Sequence, residues 1–184
     1  STYDGPVVML NPSGSSMPKY WPHSDAFMRI MAEKKMHVVL VGDLREAVTS
    51  PDHYGHVIGK SWPIRKVLAF AQIADAVIGV ESVLVNAVAL EPVLKIVFLS
   101  HSSHKNLTKN WRNTAAIKPN ELPCYPCHRI HATWDHCTRD KNTGAAACQA
   151  VALPESVAQI VVGHLEGVTL EALAAKAREE AGVA

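Results

Sequence analysis

Four apolar runs, separated by stretches of helical period, constrain this chain more than any other feature. They are Val7 to Leu10, His37 to Val41, Ala76 to Val80 and Leu94 to Leu99. Unbroken apolar runs of this length suit strands buried on both faces, the pattern of parallel sheets. Between the first two, Phe27, Ile30 and Met31 share one face of a helix that Ser24 can cap. A polar loop from Thr49 to Lys60 follows the second run. Pro63 then opens a helix with Ile64, Val67, Leu68 and Ala71 on one face, and Ser82 to Leu90 reads as a short apolar helix after the third run. Strands joined by helical crossovers predict an α/β fold, a Rossmann-like parallel sheet flanked by helices.

From Ser100 to about Ala152 that periodicity is lost, and histidines, asparagines, prolines and all four cysteines collect there. We expect an irregular Cys/His-rich segment over about 100–152 within a single domain of residues 1–184. Helical order returns at Pro154, with Val157, Ile160, Val161 and His164 on one stripe. A last helix is expected after Thr169, carrying Leu170, Leu173, Ala174 and Ala177.

A chain of 184 residues that is 48% hydrophobic can bury one sizeable core. Lys and Arg total 18 against 17 acidic residues, so no net field exists to hold nucleic acid, which is not expected as a partner. No run approaches the roughly 18 apolar residues of a membrane span, and the first residues lack a signal pattern, so a cytoplasmic location is expected. The chain enters its first strand almost at Ser1, which reads as a piece of something longer.

In open parallel sheets ligands sit beyond the carboxyl ends of the strands, so the loops after Leu10, Val41, Val80 and Leu99 should share one rim. The first loop runs Asn11-Pro12-Ser13-Gly14-Ser15-Ser16-Met17-Pro18-Lys19-Tyr20-Trp21-Pro22. Amides and hydroxyls of Ser13, Ser15 and Ser16 can face phosphate oxygens while Lys19 supplies a point charge. The plainer reading is a connecting loop whose glycine and prolines make turns. Asp43 stands on the same rim after the second run, and Glu81, Ser82 and Asn86 follow the third. A carboxylate there can accept from ribose hydroxyls, and a helix start can offer amides to a diphosphate; the plainer reading is that Glu81 and Ser82 cap the helix.

The first loop, together with Ala74-Asp75-Ala76-Val77-Ile78-Gly79-Val80-Glu81-Ser82 and the apolar helix after it, resembles the C-terminal half of glycosyltransferase family 9, the lipopolysaccharide heptosyltransferase family. The resemblance spans about Val7 to Leu99 and, more loosely, the cysteine segment and final helices. It implies one Rossmann-like lobe of a two-lobed enzyme, binding a nucleotide-sugar donor that is typically ADP-heptose. Ser15 and Lys19 would hold the donor diphosphate, and Glu81 and Ser82 would contact donor phosphate or sugar. Acceptor binding and the catalytic base would come from an N-terminal lobe that this chain lacks, so alone it would bind without turnover. The complete enzyme would carry out inverting transfer without a required cofactor to a glycan or lipid-linked acceptor, with peripheral membrane association of the full protein. The family usually reads Asp-Thr-Gly-x-x-His where this chain has Glu81-Ser82-Val83-Leu84-Val85-Asn86, which leaves the donor sugar open.

Cys124-Tyr125-Pro126-Cys127 is a C-x-x-C, followed by His131, His136, Cys137 and Cys148. Four cysteines can hold a structural zinc, but Cys137 and Cys148 are ten residues apart rather than two, so disulfides and free thiols stay open beside it. The alternative to a donor-binding lobe is a non-catalytic, metal-stapled interaction module on a Rossmann-like scaffold. A nicotinamide or flavin oxidoreductase is disfavoured because Gly14 stands alone where a Gly-x-Gly-x-x-Gly would be needed. Most of the ten histidines read as surface or structural, since none accompanies a nucleophile motif, while those among the cysteines widen the choice of metal ligands.

Overall fold

Leu10 pairs with Leu40 on one side and Ile78 on the other, at the middle of a six-stranded sheet in a computed structural model that describes residues 4–44, 54–129 and 131–167, with Ala175, Arg178 and Glu179 beyond them. The strands are β1 (Val7–Asn11), β2 (His37–Val41), β3 (Gly55–Gly59), β4 (Ala76–Val80), β5 (Leu94–Phe98) and β6 (Thr114–Ile117). Their order is β3-β2-β1-β4-β5-β6 and every neighbouring pair is parallel, the doubly wound arrangement expected of crossover connections.

The four central strands are buried along their whole length, which is why they read as largely apolar runs, with Asn11, His37 and Lys95 as their polar members. Alternate residues face opposite ways. Val8, Leu10, Leu40, Ile78 and Phe98 pack beneath α1 (Ser24–Glu33) and α6 (Pro154–Leu165), against Phe27, Met31, Val157 and Val161. Met9, Val39, Val77 and Val97 pack beneath α2 (Ile64–Ala71) and α3 (Val83–Ala87), against Ala71, Leu84 and Val85. Removing a large member of either layer, such as Phe27, would cost about 3–5 kcal/mol.

Several expectations are corrected. The loop expected from Thr49 to Lys60 contains β3, and the segment expected to be irregular contains α4 (His104–Leu107), β6 and α5 (Ala147–Ala150). Both missed strands lie at sheet edges and are only partly buried, so they lack the long apolar signature of the centre. Ser24 is the first helical residue and not the cap; its hydroxyl donates to the Trp21 carbonyl at 3.2 Å, while His23 takes the cap position without a side-chain bond. Ile64 is largely exposed, whereas Ala71 on the same helix is buried. The helix expected after Thr169, with Leu170, Leu173, Ala174 and Ala177, lies outside the described residues.

Candidate functional site

Because β1 and β4 neighbour each other while their crossovers run to opposite faces, a crevice opens at their carboxyl ends. Asn11, the last residue of β1, anchors it. Two glycines make room for this side chain and its backbone: a Cβ on Gly42 would stand 2.6 Å from its side-chain oxygen, and one on Gly79 would stand 2.7 Å from its carbonyl. The Asn11 amide donates to the Ser82 hydroxyl at 3.3 Å, and its side-chain oxygen accepts from the Ser13 amide at 3.3 Å. Asn11 thereby ties the loops after β1 and β4 together.

The first loop folds back on itself. Gly14 N–H donates to the Lys19 carbonyl at 2.7 Å, Trp21 N–H donates to the Pro12 carbonyl at 2.7 Å, and Ser13 bridges to Tyr20. A Cβ on Gly14 would stand 2.8 Å from the Lys19 side chain, so this turn depends on the glycine. The Ser13 hydroxyl donates to the Asp43 carbonyl, joining the loop to the turn after β2. The loop does not run straight into a helix: Trp21 is fully buried, and α1 begins beyond it, away from the cleft.

The result is a cleft of about 560 Å³, lined by Ser13, Ser15 and Lys19 from the first loop, Asp43 from the turn after β2, and Glu81, Ser82 and Asn86 from the end of β4 and the start of α3. Ser16, expected with them, is buried and lines a second cavity. Lys19 is half-buried, and desolvation pulls its pKa below the ordinary lysine value, opposed by Glu81 and Cys127. Its ammonium lies 3.5 Å from the Glu81 carbonyl oxygen, and among the described residues no carboxylate stands within 4.0 Å of it. Asp43, by contrast, is paired with Lys60 at 3.1 Å. Asn86 donates to the Ser82 carbonyl at 2.8 Å. The helix it belongs to, α3, has only five residues, so its dipole adds little to anion binding.

Glu81 is buried, and one of its carboxylate oxygens is occupied by protein donors while the other has only an ion-pair contact. One oxygen accepts from Ser100 N–H at 2.6 Å and Ser102 N–H at 3.2 Å; the other lies 2.7 Å from His101 Nδ1. Burial raises the Glu81 pKa, but the bonds from His101, Ser100 and Ser102 outweigh it and hold the carboxyl below its ordinary value. His101 lines the cleft with Ser102. Sequence reasoning placed the loop after Leu99 on the rim but singled out neither His101 nor Asn11; the signal was position at a strand's carboxyl end, which applies to both.

No protein-family model and no curated protein matches the sequence. Solved structures do match the fold. E. coli ADP-heptose LPS heptosyltransferase II superposes with a TM-score of 0.64 at 13% identity, over 90% of this chain and 47% of that chain. The fold is that of one heptosyltransferase lobe. The dodecameric, iron-containing heptosyltransferase TibC, from enterotoxigenic E. coli and solved with ADP-D-β-D-heptose, gives 0.65 at 14% identity over 90% and 46%. A family 9 glycosyltransferase from Veillonella parvula gives 0.62 at 12% identity over 90% and 47%. The chain spans about half the length of these glycosyltransferases.

Behind Lys19 and His101, which line both spaces, the second cavity of about 50 Å³ holds Cys124, Cys127, Cys137 and Cys148 on its walls. All four are free thiols, so the disulfide reading finds no bridge here. Cys127 Sγ lies 3.6 Å from His131 Nε2. Burial, with the neighbouring cysteines, pushes the Cys148 thiol up to about 12 and raises Cys137 as well. Sulfur and imidazole donors suit a soft cation. Among the described residues no three His, Cys, Asp or Glu side chains are grouped closely enough to hold one, so the four cysteines on this cavity would have to draw together around a zinc. No helix among the described residues is long and apolar enough to cross a membrane.

Proposed function

We propose that this chain is the donor-binding lobe of a two-lobed glycosyltransferase, and that its cleft takes a nucleoside-diphosphate sugar. The observation that carries the reading is Lys19, a partly desolvated ammonium with no carboxylate partner among the described residues, held by a glycine-dependent turn at the switch point of a heptosyltransferase-type sheet. A cation in that setting favours an anion more than a solvated one would. Ser15 lines the same cleft and is exposed, so it offers donors to phosphate oxygens, whereas the Ser13 hydroxyl and amide are spent on Asp43 and Asn11. TibC, which shares the fold, was solved with ADP-D-β-D-heptose.

In the complete enzyme a carboxylate on a second lobe would take the proton from the acceptor hydroxyl as that oxygen attacks the anomeric carbon. Lys19 would offset the negative charge growing on the departing diphosphate. The acceptor would be a glycan or lipid-linked sugar approaching from the second lobe, so this lobe alone binds donor without transferring it.

Calorimetric titration with ADP and UDP tests the reading. Binding of either, weakened at least tenfold by Lys19→Ala, or about 1.4 kcal/mol, is the expected result. Failure of both nucleotides to bind at millimolar concentration would overturn it.

A second reading, a metal-stapled module, is favoured by the gathering of four thiols on one cavity. About one zinc per purified chain, with no nucleotide binding, would establish it over the first.

A further inference from the structure

We propose that His101 is a second cationic ligand for the donor diphosphate, set in place by Glu81. The inference rests on the donor-binding reading above. The loop carrying His101 follows β5 and is fastened to Glu81 at three points: the Ser100 and Ser102 amides at 2.6 and 3.2 Å, and His101 Nδ1 at 2.7 Å. The Glu81 side chain is only 3% exposed, so this carboxylate serves the loop before it serves any ligand. The 2.7 Å contact holds the Nδ1 side of the imidazole against the carboxylate. Nε2 then has no protein partner among the described residues, and it is the ring nitrogen left for a ligand in the cleft that His101 lines.

The length of Glu81 matters here. An aspartate would be shorter by one methylene, about 1.5 Å, and would not reach the loop after β5. Glu81 is therefore a positioning residue. Asn86, another nitrogen-bearing side chain lining the cleft, is neutral and bonded to the Ser82 carbonyl. His101 and Lys19 line the cleft together, so a diphosphate between them would meet an ammonium and an imidazole.

Other titratable groups face His101 from each side. Glu81 comes from the end of β4 and Lys19 from the first loop, while Asp43 lines the same cleft. Cys124, Tyr125, Cys127 and Arg129 come from the segment after β6. His131, His136, Cys137 and Cys148 lie further round the thiol cavity. A proton taken up on binding must therefore be assigned by substitution.

Calorimetry of the whole chain with ADP, in two buffers of different ionisation enthalpy and at pH values from about 5.5 to 8, the range in which imidazoles titrate, makes the test. We expect ADP to bind more tightly at the acid end, with net proton uptake towards the alkaline end. His101→Gln should abolish the uptake and weaken binding about tenfold near pH 6 with little change near pH 8. His101→Lys should keep the affinity and lose the pH dependence. Glu81→Asp should lower affinity near pH 6 as His101→Gln does. The wild-type proton count needs no variant to fold. Lys19-dependent ADP binding without proton uptake once the proton released by the ADP terminal phosphate is accounted for, or with uptake that survives His101→Gln, overturns this proposal and leaves the donor-binding reading standing. No ADP binding to the wild type at any pH overturns both.

Discussion

The Trp21 indole N–H donates to the Ala152 carbonyl oxygen at 2.8 Å, joining residues 131 positions apart. The same ring lies 4.6 Å from Phe98 and 5.7 Å from Phe27 by centroid. One side chain thus fastens the first loop, the sheet and the start of α6. Trp21→Phe keeps most of the apolar contact but leaves a buried carbonyl without its donor. We expect a loss of about 1–3 kcal/mol in urea unfolding, and wild-type stability would show that this bond contributes nothing.

Gly42 sits at φ +98°, and a Cβ there would stand 2.6 Å from the Asn11 side-chain oxygen. Gly144, at φ +69°, has nothing within 4 Å. Alanine at either position introduces backbone strain of about 1–3 kcal/mol, but only Gly42→Ala also displaces Asn11. Gly42→Ala should therefore lower the melting temperature more than Gly144→Ala and weaken ADP binding, while Gly144→Ala leaves binding unchanged. Equal effects of the two on binding would contradict the placement of Asn11.

Lys95 is completely buried on β5, and its ammonium donates to the carbonyls of Glu91 at 2.6 Å and Val93 at 2.8 Å. Desolvation, reinforced by Arg112 and opposed by Glu91, lowers its pKa to about 8. Between pH 8 and the ordinary lysine value of 10.5, the unfolded chain holds a proton here that the folded chain has released. Stability from this group therefore rises with pH across that window and is lost as pH falls through about 8. Each pH unit is worth about 1.4 kcal/mol, so the swing is at most about 3.5 kcal/mol. The stability of the wild type relative to Lys95→Met should increase from pH 8 to 10.5; a constant difference would refute the charge argument.

Cys124 is exposed, whereas the Cys148 thiol is pushed up to about 12 by burial and by its neighbouring cysteines. The thiolate is the reactive form, so Cys148 should resist iodoacetamide at pH 8 in the folded chain while Cys124 reacts. Mass spectrometry of the labelled peptides checks this. Equal labelling rates would mean that the thiol cavity opens in solution.

The central strands were legible because each must be buried on both faces, a requirement written into adjacent residues such as Val38-Val39-Leu40 and Ile96-Val97-Phe98. The same reasoning located the rim, and it anticipated that Ser13, Ser15, Lys19, Asp43, Glu81, Ser82 and Asn86 would meet on one cleft. Edge strands β3 and β6 escaped it because strands that are only partly buried need no continuous apolar run.

Pairing across the fold was decided elsewhere. Glu81 looked like a ligand residue or a cap, yet it fastens the loop after β5, because β4 and β5 are neighbours in the sheet and their carboxyl ends lie side by side. Ser16 turned from the cleft to the thiol cavity because the first loop doubles back at Gly14. Local sequence determined which segments are strands and helices, since burial periodicity is a property of consecutive residues. Which side chains share an electrostatic environment depended on strand order and loop path, which bring together groups such as Lys19, Glu81 and His101 that no local pattern connects.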